Sequence, residues 1–133
     1  MATTANWQTL TPMLAVHDAL AAISFYKAAF DATEVGEPIV WEGRIGHAEI
    51  CIGGALIMLA DETPGHNMSP RQLGGTSIIL HLEVENVDKS TAKAVTAGAE
   101  LLRPADNQPY GRISKIRDPF GHVWMLNGPT IGA

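Results

Sequence analysis

Asp118-Pro119-Phe120-Gly121, followed by His122-Val123-Trp124-Met125-Leu126, is the stretch on which the fold turns. Pro at the second place of a four-residue turn and Gly at the fourth are what a type I turn prefers. The turn opens into an apolar strand. The same event occurs 67 residues earlier, where Ile52-Gly53-Gly54 stops the chain and Ala55-Leu56-Ile57-Met58-Leu59 follows. The chain therefore reads as an internal duplication, and a duplication has a centre where a ligand would sit.

Outward from these two turns the halves keep step. In the first, Leu10 to Val16 reads as a strand and Asp18 as a helix N-cap, its carboxylate accepting from first-turn amides. Ala19, Ile23, Tyr26 and Phe30 then share one helix face. Strands follow near 34–40, 45–52 and 56–60. The middle one alternates, with Ala48, Ile50 and Ile52 on one side and His47, Glu49 and Cys51 on the other. In the second half, 77–84 reads as a strand and Asn86 takes the place of Asp18. Val87, Thr91, Ala94 and Val95 form the buried helix face, and Gly98 suits a left-handed stop. Strands follow near 100–103, 112–117 and 122–127.

Each half is thus β-α-β-β-β. The fold class is α+β, two modules whose curved mixed sheets enclose a cavity. Residues 1–133 form one domain: module one over about 10–60, a connector over 61–75, and module two over about 76–127. The connector holds two prolines and three glycines and is long enough to cover a site.

Composition narrows the function. The chain has 133 residues, 46% apolar and 17% charged, enough for one domain with a real core. A net charge of −5 with no Lys/Arg cluster argues against nucleic acid and anionic membranes as partners. No apolar run reaches transmembrane length. Met1-Ala2-Thr3-Thr4-Ala5-Asn6-Trp7 lacks the marks of a signal peptide. Cys51, the single cysteine, excludes an intrachain disulfide and fits a reducing cytoplasm.

Several stretches together resemble a known superfamily. They are Val16-His17-Asp18-Ala19, Ala22-Ile23-Ser24-Phe25-Tyr26, Gly46-His47-Ala48-Glu49-Ile50, Leu59-Ala60-Asp61-Glu62, His81-Leu82-Glu83-Val84-Glu85-Asn86-Val87-Asp88, and Arg117 through Trp124. The chain resembles the vicinal oxygen chelate proteins: glyoxalase I, extradiol dioxygenases, fosfomycin-resistance enzymes and bleomycin-resistance proteins. The Asp-Pro-Phe-Gly-His-x-Trp string resembles a glyoxalase-like subgroup, although Asp31 stands where that subgroup usually has Gly. The resemblance implies a module-swapped homodimer with two equivalent cavities.

It also implies a divalent metal held at four symmetry-related places, which here are Thr11, Met58, Ile79 and Met125. Two methionines, an isoleucine and a threonine do not suit a hard or borderline cation, which needs carboxylate oxygens or imidazole nitrogens. A one-residue shift brings in Pro12, Leu59, Leu80 and Leu126, or Leu10, Ile57, Ile78 and Trp124, neither better. The expected metal and cofactor are therefore none, and catalysis is less expected than binding.

The expected ligand is a small aromatic or hydrophobic molecule, sequestered as a bleomycin-resistance-like protein would hold an antibiotic. The candidate ligand-binding residues are Trp41, His47, Glu49, Met58, Ile79, His81, Tyr110, Arg112 and Met125. Methionine adapts to flat rings, while Trp41 and Tyr110 stack on them. Glu49, His81 and Arg112 orient the ligand. For Tyr110 and Arg112 the alternative is pinning a loop or pairing with an acid. Trp124 alternates with Val123 and Met125 and should pack under the helix instead. His17, His66 and His122 fall in turns or linkers, where solvation is the default. The competing reading is a glyoxalase-like lyase, isomerase or dioxygenase with a non-standard metal, or with acid–base work by Glu49 and His81.

Overall fold

In the computed structural model, which describes residues 8–132, the chain forms twelve elements. Module one comprises β1 (Met13–Val16), α1 (Ala19–Phe30), β2 (Thr33–Glu34), β3 (Ile39–Trp41), β4 (Arg44–Ile52) and β5 (Ala55–Asp61). A short helix, α2 (Pro70–Leu73), lies in the connector. Module two comprises β6 (Ile79–Glu83), α3 (Val87–Ala97), β7 (Glu100–Gln108), β8 (Gly111–Arg117) and β9 (Val123–Gly128). The Met1–Trp7 stretch read for a targeting signal lies outside the described residues. Among those described, no helix is long and apolar enough to cross a membrane.

The two sheets repeat one topology. The first runs β1-β5-β4-β2 with β3 also on β4, and the second runs β6-β9-β8-β7. In each, the first and last strands of the module pair parallel and the remaining neighbours antiparallel. The sheets are mixed, as expected.

Local chemistry explains the boundaries. Asp18 caps α1 by accepting from the Ala21 amide at 3.1 Å, and Asn86 caps α3 by accepting from Lys89 at 3.0 Å. Asp31 closes α1 in the left-handed region, at φ 57°, and pairs with Lys93 of α3. Asp31 thus ties one helix to the other. The strand expected over 34–40 is split into β2 and β3. Gly36, at φ 67°, and Pro38, which has no N–H to donate, interrupt the ladder between them. β1 starts at Met13, later than Leu10, and β7 continues to Gln108 with two register shifts.

Both helices share one core with the inner sides of both sheets. On α3, Val87, Thr91 and Ala94 are buried as the spacing predicts, whereas Val95 is exposed at the edge of that face. On α1 the buried set is wider than one stripe and includes Ala22, Phe25 and Ala29 as well as Ala19, Ile23 and Tyr26. The reason is that α1 packs on its own sheet, on α3, and on Trp124 of the other module.

Trp124 is buried under the helices, as expected, 4.8 Å from the Phe30 ring and 5.5 Å from Tyr26 between centroids. Its indole N–H donates to Asp118 Oδ2 at 2.9 Å, and the Tyr26 hydroxyl donates to the same oxygen at 2.5 Å. Asp118 Oδ1 accepts from the amides of Phe120 and His122. The Asp-Pro-Phe-Gly turn is therefore also the bolt between modules. Its Gly121 N–H closes the turn onto the Asp118 carbonyl at 3.0 Å.

Candidate functional site

Cross-strand neighbours in a sheet present their side chains on one face. In module one, Met13 of β1 pairs with Met58 of β5, and Met58 pairs with Glu49 of β4. These three make a row across the face opposite α1, and His47 and Cys51 lie along the same side of β4. In module two, His81 of β6 pairs with Met125 of β9, and Met125 with Lys115 of β8. Ile79 and Val123 form the next row of that face. The two rows occupy equivalent places in the duplication, with Glu49 in one and Lys115 in the other.

Six of the nine expected ligand residues fall on these two faces: His47, Glu49 and Met58 on the first sheet, Ile79, His81 and Met125 on the second. Within one chain they remain two separate groups. The modules meet through α1, α3, Trp124 and Asp118, and among the described residues no strand of one sheet pairs with a strand of the other.

The first group has internal structure. Glu49 is only 4% exposed, and its Oε2 lies 2.8 Å from His47 Nε2. Its Oε1 is buried and meets no hydrogen-bond partner among the described residues. In the second group, His81 and Ile79 are exposed and Met125 is half-buried. His81 also borders an apolar slot of about 270 Å³ with Leu56, Ile57, Leu80, Leu82 and Trp124, where the modules meet. Larger open hollows of about 690 and 590 Å³ lie elsewhere, and none of the nine residues lines them.

Three of the nine are placed otherwise. Arg112 alternates with Ile113, which pairs with Asn127 on the Met125 face, so Arg112 projects to the helix side. There its Nε and Nη2 donate to the two oxygens of Asp88 in the first turn of α3, at 2.7 and 2.9 Å. This bidentate pair holds Asp88 below the usual carboxylate range through its hydrogen bonds, and raises Arg112 for the same reason. Arg112 pins the helix to the sheet, which is the pairing with an acid that the sequence offered as the alternative to a ligand contact. Tyr110 is 67% exposed in the β7–β8 turn, and Trp41 is 55% exposed at the end of β3. Neither joins Met58 or Met125 in a described hollow.

The histidines need correction too. His122 is half-buried, its Nε2 2.9 Å from the Ala15 carbonyl. His17 lies against Phe120, with ring centroids 5.1 Å apart and a buried Nδ1 that meets no hydrogen-bond partner among the described residues. Only His66 is exposed as expected.

Lys115 was missed by sequence reasoning and makes no ion pair with a described residue. A signal for it exists. The Asp-Pro-Phe-Gly turn fixes Arg117 opposite Val123, and counting two residues back places Lys115 opposite Met125.

The duplicated β-α-β-β-β plan, with its uncovered faces, coincides with a sequence match. Residues 8–126 fit the pattern of the Glyoxalase/Bleomycin resistance protein/Dioxygenase superfamily. The chain belongs to that superfamily. An uncharacterized protein of Mycobacterium tuberculosis is 42% identical over 126 residues, spanning 91% of this chain and 74% of that protein. Among solved structures, TioX from Micromonospora sp. ML1 aligns with a TM-score of 0.70 at 24% identity, over 95% of this chain and 99% of TioX. The fosfomycin resistance protein FosX from Listeria monocytogenes, complexed with Mn(II) and sulfate, aligns at 0.67 with 18% identity, over 93% and 91%. At these identities the structural likeness concerns the fold.

The metal implied by the resemblance does not fit this chain. Met58, Ile79 and Met125 do lie on the two uncovered faces, but they offer thioethers and a hydrocarbon where a hard cation needs oxygen or imidazole nitrogen. Thr11 lies ahead of β1, and its hydroxyl donates to the Gln8 carbonyl at 3.3 Å. Among the described residues no three His, Cys, Asp or Glu side chains gather as ligands.

Proposed function

We propose that this chain is a metal-independent small-molecule-binding protein, which sequesters a flat aromatic natural product or antibiotic between sheet faces of a homodimer. The observation that carries the reading is the pair of rows Met13–Met58–Glu49 and His81–Met125–Lys115. Each presents adaptable apolar surface beside one or two polar groups, the composition of a ligand site. In these rows Met13 and Ile79 are about half exposed. A second copy that set one module's face against the other's would close two equivalent cavities. The superfamily includes bleomycin resistance proteins, which supports the same direction.

Calorimetric titration of metal-free protein with a panel of flat aromatic antibiotics tests the reading. Saturable binding to at least one is expected, lost in a Met58→Lys, Met125→Lys double variant. Absence of binding across the panel contradicts it.

A second reading, an enzyme using acid–base chemistry, is favoured by one observation. The His47–Glu49 pair, 2.8 Å apart on an uncovered face, has the geometry of a proton-handling dyad. Turnover of a bound compound, abolished by His47→Gln with binding retained, would support it over sequestration.

A further inference from the structure

Glu49 sits in the middle of β4 with almost no exposure. One carboxylate oxygen faces His47 Nε2, and the other is buried with no donor among the described residues. A buried acceptor left unmet costs free energy, and more when the group is charged, so few persist in native proteins without a purpose. The other buried carboxylate, Asp118, shows what a satisfied one looks like, with both oxygens taking two donors each. Across the ladder from Glu49 stands Met58, a half-buried unbranched side chain. Three rotatable bonds let such a side chain move aside at little cost.

We infer that Glu49 Oε1 is the recognition acceptor of the sheet-face site, taking a hydrogen bond from an N–H or O–H of the ligand. Met58 lies against the ligand's apolar body, and His47 holds the carboxylate in place from the other side. The ligand class follows. A molecule with a hydrogen-bond donor beside a flat apolar body completes the carboxylate. A carboxylate or phosphonate in that position sets like charge against a desolvated acid and is rejected. This inference rests on the binding function proposed above and specifies its ligand chemistry.

Three naphthalene probes with one common body test it: 1-naphthylmethanol, its methyl ether, and 1-naphthylacetate. Their binding is followed by shifts of the backbone amide resonances of Glu49 and Met58. The alcohol is expected to bind at least about tenfold tighter than the ether, the loss of one charge-assisted hydrogen bond. The acetate is expected not to shift either resonance. In Glu49→Met, alcohol and ether should become equal, and the comparison on the wild-type protein stands even if that variant folds poorly. Equal binding of all three to the wild type overturns the role of Glu49 while leaving a binding function intact. No shift with any probe overturns both.

Discussion

At the residue scale, Asp118 and Glu49 are two buried carboxylates with opposite fates. Asp118 is saturated by Tyr26, Trp124 and two amides, and it holds α1 to the second module. Burial, then the neighbouring Asp118 charge, pushes the Tyr26 hydroxyl well above its ordinary pKa. For an acid whose neutral form is the buried one, the sign is fixed. The stability this supplies is complete below the unfolded tyrosine value of about 10 and declines as pH rises beyond it. Chemical denaturation between pH 8 and about 11.5 should therefore show a falling slope in the wild type that is shallower in Tyr26→Phe. The variant should also be less stable at pH 7 by about 1–3 kcal/mol, since it strips a donor from a buried carboxylate. An unchanged alkaline slope would remove Tyr26 as its cause. The Asp118 network was only half legible beforehand. The turn type was evident from Pro119 and Gly121, but a contact between Tyr26 and Asp118 joins residues of different modules, and no local pattern encodes it.

At the element scale, α1 is the hub and the Asp-Pro-Phe-Gly turn its anchor. Gly121 has φ 92°, and a Cβ placed there would come within 2.7 Å of the Pro70 side chain in α2. The connector is thus strutted against the turn by close contact with it. Gly121→Ala should destabilise the protein by about 1–3 kcal/mol, combining left-handed strain with the clash. The midpoint of urea unfolding checks this, and Gly53→Ala, at φ 55° with open space around it, is the control that isolates the strain. Helix caps at Asp18 and Asn86, the alternation of β4 and the buried stripe of α3 could all be read from spacing, because each is set within a few residues. The breadth of burial on α1 and the capture of Arg112 by Asp88 could not. Both depend on which neighbour the element meets, and a single strand period assigns a face without naming its partner.

At the scale of the whole molecule, the duplication was legible because two stops and two strands repeat at one offset, and the mixed sheets follow that plan. The gathering of the site was not legible to the same degree. The sequence places Met58, Glu49, Ile79, His81 and Met125 on the strand faces where the register puts them, but within one chain they stay in two separate rows. The proposed paired cavities call for a second copy, so the protein is expected to sediment at twice the chain mass. Met58→Glu with Met125→Glu should return it to the single-chain mass without loss of helix signal. A monomer at all concentrations would leave the two rows unpaired and count against paired cavities.

The most direct test concerns metal independence. The binding isotherm of an aromatic antibiotic should be recorded on chelator-treated protein, then again after equimolar Mn, Ni or Zn is restored. The same affinity and stoichiometry in every trace is the predicted result. Binding that appears only with a metal, or heat from continuing turnover once it is added, would contradict the account.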